Sequence, residues 1–462
     1  MTVLTTGPVT KAPAWVQSLS KVAWVNSVAI SEKGDRVIGA TYIHDFEANS
    51  KIYGQFATFC FDVASTGGKP VATNKWTNRM TGWDGIFAVG ISGDGTVAAT
   101  GGYFTPPFAG PNQTTGLVMI FDAATGTVLF NSSATKTPIG DTVNVVSLSR
   151  DGAIVAAAAD QLYVYARSVR NNRVTYTPIQ SAAPSTDPDF RTTFGPVTSV
   201  AVHPSGTWLA ACNERGQLLV ATIANGVITR MFIKEVSKEP VNATDRTSSV
   251  LAPVRFLSVA VSGNDDAEAF VAGGSDVVYR STVSDMATAA NPPVRYDAGG
   301  PAAPVVDPAP PEGVTDAKAR QNVRWIAISG DGATFAAVAN RKTPPPSPSA
   351  NVTSGNALNG SPQTVNYEGE LLIFDAQSPK PKTTVPLEHN PNSVSMDADG
   401  EIITVAEGNP PGTPGLFRRF DFSGTQVWQF ETGNMNWPIA VSADGSAIAA
   451  GGDDGHLYYF LP

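Results

Sequence analysis

The sequence predicts an all-β chain built from one unit repeated eight times around a ring, and three observations predict it. A Ser-x-Asp-Gly-type turn flanked by alternating apolar residues recurs along the whole length. The residues after each turn are small, and no apolar period of 3.6 residues persists over more than two helical turns. Gly (43) and Pro (35) are abundant while charged residues make up only 15% of the chain, which suits short strands joined by turns.

The repeat reads VNSVAISEKGD from Val25, FAVGISGDG from Phe87, VNVVSLSRDG from Val143 and VTSVAVHPSG from Val197. It continues with FLSVAVSGND from Phe256, VRWIAISGDG from Val323, PNSVSMDADG from Pro391 and WPIAVSADG from Trp437. Dividing 462 residues by eight copies gives roughly 58 per unit, a little above the usual blade period. The alternation marks the first strand of each unit, and the Asp-Gly pairs supply its hairpin turn. A small-residue second strand follows, as in TVAATGG, IVAAAA, WLAACN and AIAAGG. The third strand often ends in Phe-Asp, at Cys60, Ile120, Ile373 and Arg419, and a more variable fourth strand precedes the next unit. Four antiparallel strands bury little alone, so the units must pack face to face and close a ring: an eight-bladed β-propeller.

The blades are expected to start near residues 25, 86, 143, 197, 256, 323, 391 and 437 of a single domain, 1–462. The last copy stops at its third strand, HLYYFLP, while AWVQSLSKVAW precedes the first. Residues 1–24 are therefore expected to give the outer strand of the last blade, so that trimming either end weakens the whole ring. The Pro-rich run 297–321 reads as an excursion between blades 5 and 6, because the repeat resumes in phase at Val323.

The apolar-Ser-x-Asp-Gly turn followed by a strand ending in an aromatic and Asp resembles WD40-type repeats. FDAATGTVLF at Phe121 and FDFSGTQVWQF at Phe420 are similar to the repeats of pyrroloquinoline-quinone (PQQ) propellers, which usually have eight blades. Either resemblance implies a fold and not an activity. The Gly-His/Trp-Asp pairing of the first family does not recur, and the adjacent cysteine pair typical of quinoprotein dehydrogenases is missing, so PQQ is not expected and no cofactor is predicted.

A net charge of -9 and a pI near 5.0 argue against nonspecific nucleic-acid binding, which needs a basic surface. No stretch approaches 18 uncharged apolar residues, so no membrane span is predicted, and Met1–Trp15 does not read as a signal peptide. Low charge and Asn-x-Ser/Thr triplets at Asn112, Asn131, Asn242 and Asn351 would suit an exported protein whose leader has been removed, without fixing a compartment. Cys60 and Cys212 lie in apolar runs and read as buried, inert thiols.

Function is expected where the repeat is broken. Insertions fall after Ile43, after Gly102, from Arg341 to Tyr367 and from Glu407, all on the face carrying the d–a and b–c connections. The residues opening each innermost strand should ring the channel mouth on that face. They are Trp24, Asn26, Trp83, Asp84, Asn144, Arg255, Arg324, Trp325, Asn392, Asn436 and Trp437. An aromatic platform beside Asn, Asp and Arg stacks a planar ligand or sugar and bonds its edges, whereas the same Trp residues could simply plug the channel.

Catalytic constellations are thin. His44 beside Asp45, together with Asp84, Arg324 and Glu407, is the one set that could serve acid–base chemistry at this face. His389 stands beside Glu388, while His203 and His456 sit at turns and read as structural. No metal site is predicted. Calcium would find only the turn pairs Asp265-Asp266 and Asp453-Asp454, without EF-hand spacing, and solvated turn acids are the expected reading.

Three functions follow. The first is a propeller that binds a small molecule, a carbohydrate or a protein partner at the loop-rich mouth. The second is an enzyme, a lyase, isomerase or hydrolase of a small or carbohydrate-like substrate, with its site at the same mouth. The third is a WD40-like protein-interaction scaffold.

Overall fold

The computed structural model describes residues 9–21, 23–42, 56–79, 85–104, 115–134, 139–179, 194–236, 239–240, 251–252, 254–274, 277–298, 322–342, 367–408 and 414–462. These form eight antiparallel blades around one axis. The innermost strands are Trp24–Ile30, Gly85–Ile91, Val145–Leu148, Ser199–Val202, Phe256–Val261, Asn322–Ile328, Pro391–Met396 and Asn436–Val441. In blades 1–6 the sheet order follows the chain outward from this strand, and in blades 7 and 8 it does so until an N-terminal strand is added at the outer edge. The ring closes as expected: Trp15–Ser18 pairs antiparallel with His456–Phe460, Trp15 opposite Tyr459, as the outer strand of blade 8. Just before it, Val9–Thr10 runs parallel to Gln426–Thr432 and gives blade 7 a fifth strand.

The recurrent turn explains itself in hydrogen bonds. The Ser hydroxyl donates to the Asp carboxylate two residues on, as in Ser92–Asp94 (2.6 Å), Ser149–Asp151 (2.9 Å), Ser329–Asp331 (2.7 Å) and Ser442–Asp444 (2.7 Å). The following Gly takes a left-handed conformation that a Cβ would strain, with φ of 70° at Gly95, 66° at Gly152 and 68° at Gly445.

The second strands are small because they pack against the innermost strand of the next blade. A Cβ on Gly101, Gly273 or Gly451 would lie 2.4 Å from a methyl of Val143, Val323 or Val25 respectively, each in the following blade. The core is accordingly a series of clusters between successive blades. One joins Ile154, Ala156 and Ala158 of blade 3 to Leu209, Ala211 and Leu219 of blade 4. Cys60 and Cys212 are fully buried, and burial pushes both thiols up to about 12. No helix among the described residues is long and apolar enough to cross a membrane.

Candidate functional site: the two ends of the channel

Each innermost strand runs from the loop-rich, wide end of the channel to the Ser-x-Asp-Gly turn at the narrow end. Near the wide end six of these strands lose register with their neighbour through a β-bulge, at Asn26, Phe87, Leu257, Arg324, Asn392 and Trp437–Pro438. The bulge inverts the side-chain alternation, so that Val25 meets Gly451 of blade 8 while Val28 and Ile30 pack on that same blade. Four of the residues expected to ring the mouth (Asn26, Arg324, Asn392 and Trp437) therefore share one structural position. Their equivalents Phe87 and Leu257 give no sign of this position in the sequence, since an apolar residue carries no signal of a bulge.

The predicted mouth residues separate by burial. Asn144 and Arg255 are exposed, Trp24, Asn26, Arg324 and Trp437 are half-buried, and Trp325 is 40% exposed. Arg255 pairs with Glu214 at 2.9 Å. Asn392, Asn436 and Glu407 instead belong to the wall. Asn392 donates to the Asn436 carbonyl at 2.7 Å, and the Asn436 side-chain oxygen accepts from Thr432 at 2.8 Å. Glu407, fully buried, lies 3.0 Å from Nε of the equally buried Arg418 and accepts the His389 backbone N–H at 3.2 Å. Burial lifts its carboxyl to about 7, although Arg418 pulls the other way. Asp453 of blade 8 shows the same effect, raised to about 7 by burial; the Trp437 indole offsets part of this while remaining outside hydrogen-bond geometry. His44, Trp83 and Asp84 lie outside the described residues, as do most of the four insertions.

Trp325 stands out at the wide end. At its level five of the other seven innermost strands carry Ser or Ala, while blades 3 and 8 carry Val145 and Pro438. Two of the serines, Ser27 and Ser199, accept the backbone N–H of Val89 and Val259 from the next blade. An indole cannot occupy that slot between blades. Trp325 is left 40% exposed on an innermost strand, near the loop-rich end and about 13 Å from the turn at Ser329.

At the narrow end the turns surround a cavity of about 250 Å³ beneath a collar that includes Ile30, Ile91, Leu148, Ile328, Met396 and Val441. Every turn but that of blade 4 donates a backbone N–H to a carbonyl of the next: Glu32 to Gly93 (3.0 Å), Asp94 to Arg150 (2.9 Å) and Arg150 to Pro204 (2.8 Å). The chain of bonds resumes with Gly263 to Gly330 (3.0 Å), Gly330 to Ala398 (2.7 Å), Ala398 to Ala443 (2.9 Å) and Asp444 to Glu32 (3.1 Å). Arg150 also reaches across the opening. Its guanidinium meets Glu32 of blade 1 at 2.7 Å, and Asp265 of blade 5 at 2.6 Å. Asp265 is thus an exposed turn acid that also clasps Arg150. Among the described residues, no group of three or more His, Cys, Asp or Glu is placed to hold a metal.

The eight blades and their turns define this chain as an eight-bladed β-propeller. Residues 189–220, the inner half of blade 4, match the WD domain, G-beta repeat family. Solved propellers align along almost the entire chain. Sqt1 of Chaetomium thermophilum superposes with a TM-score of 0.58 at 14% identity, over 98% of both chains. Sqt1 of Saccharomyces cerevisiae gives 0.60 at 9% identity, over 98% of this chain and 100% of that one. A further C. thermophilum Sqt1 structure, described as bound to the N-terminus of the ribosomal protein L10, gives 0.55 at 14% identity over 96% and 98%. At such identities the likeness is one of fold. No curated protein sequence matches the chain.

Proposed function

We propose that this propeller is a protein-interaction scaffold, and that a segment of its partner docks at the wide end of the channel against Trp325. The carrying observation is Trp325 itself, a large aromatic left 40% exposed at a position where no other blade carries an aromatic residue. Exposed Trp residues inside a concave surface are frequent energetic anchors of protein interfaces. A same-fold protein described as bound to the N-terminus of another protein supports a peptide segment as the occupant. The WD-type repeat in blade 4 supports the scaffold reading in the same way. A small-molecule or carbohydrate ligand, or a substrate, would use the same surface.

The test is cross-linking and affinity measurement with the recovered partner. Trp325→Asp should weaken binding at least about tenfold, with little change in stability, because the side chain is already partly in water. Asp266→Lys, an exposed change at the narrow end, should leave affinity intact. Cross-links confined to the narrow face or the outer strands, with full affinity in Trp325→Asp, would sink this reading. Binding of a small planar ligand or sugar that Trp325→Asp abolishes, with no protein partner recovered, would replace it with the ligand-binding one.

A further inference from the structure

The ring of inter-turn bonds at the narrow end has one exceptional joint. Five of the seven other joints donate from the residue just after the first turn residue. Between blades 4 and 5 that residue is Pro204, which has no N–H. The N–H of Ser205, whose equivalents Asp94 and Asp444 donate in blades 2 and 8, is turned to His203 Nδ1 instead. The neighbouring His203 fills the gap: its Nε2 lies 3.0 Å from the Asn264 carbonyl oxygen. We propose that this joint is an acid-sensitive link in a ring whose other joints are backbone to backbone, with neutral His203 supplying the donor that Pro204 lacks and protonation releasing it.

The hydrogen bonds fix the state of the ring. A carbonyl only accepts, so Nε2 must carry the proton. The Ser205 backbone N–H only donates, and it points at Nδ1 from 3.3 Å, so Nδ1 must offer its lone pair. The Ser205 hydroxyl, 2.7 Å from Nδ1, then donates as well. A second proton on His203 would oppose the Ser205 N–H and force the hydroxyl to turn, undoing the turn that presents Nε2 to blade 5.

The Asn264 and Ala267 carbonyls favour that proton, but burial outweighs them. His203 is fully buried and stacks on Trp208, with ring centroids 4.7 Å apart. The charged groups that face it are Asp265 and Arg150, and these are paired with each other at 2.6 Å. Desolvation holds His203 below its ordinary value of 6.5, with Arg150 pushing the same way and Asp265 pushing back. A depressed folded value means that the unfolded chain takes up the proton first. The link is therefore intact above about pH 6.5 and is lost as pH falls from there through His203's own lower value. Arg150, which leaps over blade 4 from blade 3 to Asp265 and to the Gly263 carbonyl (3.2 Å), holds the two sides together when the link opens. Acid would loosen the joint without dissolving the ring.

Hydrogen exchange, corrected for intrinsic rates, tests this on the whole chain at pH 7.5 and pH 5. Peptides covering the blade 4 turn, residues 200–208, should lose protection by about tenfold or more at pH 5. Peptides covering the blade 7 turn, residues 396–402, should change little. His203→Gln, which keeps a neutral donor, should make the blade 4 turn insensitive to acid. Pro204→Ala restores a backbone N–H beside an intact His203 and should also blunt the acid effect, so the prediction survives a His203→Gln variant that does not fold. Equal acid responses in the two turns, or an acid loss undiminished in Pro204→Ala, would overturn the proposal.

Discussion

Asp453 and Glu407 show how position alone reverses the behaviour of a carboxylate. The sequence suggests a solvated turn acid at Asp453 and, for Glu407, the start of an insertion on the loop-rich face. The structure buries both, and desolvation lifts each to about 7. Glu407 at least has the Arg418 guanidinium at 3.0 Å, whereas neither oxygen of Asp453 has a hydrogen-bond partner. A carboxyl whose folded value is raised stabilises the fold fully at low pH and loses that contribution as pH rises towards 7. Asp453→Asn should therefore leave urea stability nearly unchanged at pH 4 and raise it at pH 8, by on the order of 2 kcal/mol. Denaturation at the two pH values checks this, and an equal effect at both would show that the charge is met by a partner. Such burial was invisible in the sequence, because it depends on residues elsewhere in the chain, Arg418 and His389 around Glu407 and Met435 and Trp437 around Asp453. Arg150 was missed for the same reason: nothing in SLSRDG says that its side chain will meet residues 118 and 115 positions away.

At the scale of the strand, alternation and turn chemistry made the innermost strands legible to within about two residues, but bulges were not. A bulge adds a residue without changing composition, so Arg324 and Trp325 read as one polar-aromatic opening when they are a bulge residue and an exposed Trp. The closing strand was legible, since a third strand without a fourth at one end matched an unassigned strand at the other. Its parallel forerunner Val9–Thr10 was not, for two residues carry no periodicity. The two segments should differ in weight. Deleting residues 1–13 removes a two-residue parallel pairing and should lower the melting temperature by a few degrees at most. Deleting residues 1–18 also removes Trp15, stacked on Tyr459 with centroids 5.4 Å apart and 5.8 Å from Phe61, and bares the edge of blade 8. That loss resembles truncation of a large core side chain, about 3–5 kcal/mol, with the strand pairing lost besides. Thermal melts of the two truncations check the difference, and similar melts would mean that the ring closes without its outer strand.

For the whole molecule the repeat made the architecture readable and left the activity unread, because identical blades say how a ring packs and only their departures from identity say what it does. Several departures lie in insertions outside the described residues. Those within them, Pro204, Arg150 and Trp325, are single residues whose meaning needs the ring to be assembled first. The seams between blades show how evenly the ring is built. Gly101, Gly273 and Gly451 occupy the same place at the seams of blades 2–3, 5–6 and 8–1, each with the same 2.4 Å clearance to a Val methyl of the next blade. The last of these is the seam where the two ends of the chain meet, and covalent continuity there is replaced by the pairing of Trp15–Ser18 with His456–Phe460. If that pairing closes the ring as firmly as the chain does elsewhere, Gly→Ala should cost the same at all three seams. The expected penalty is about 1–3 kcal/mol each, the usual range for overpacking, with a single cooperative transition retained. A markedly smaller cost at Gly451, or a separate early transition in that variant alone, would identify the terminal seam as one that yields by opening, and the propeller as a ring with a latch.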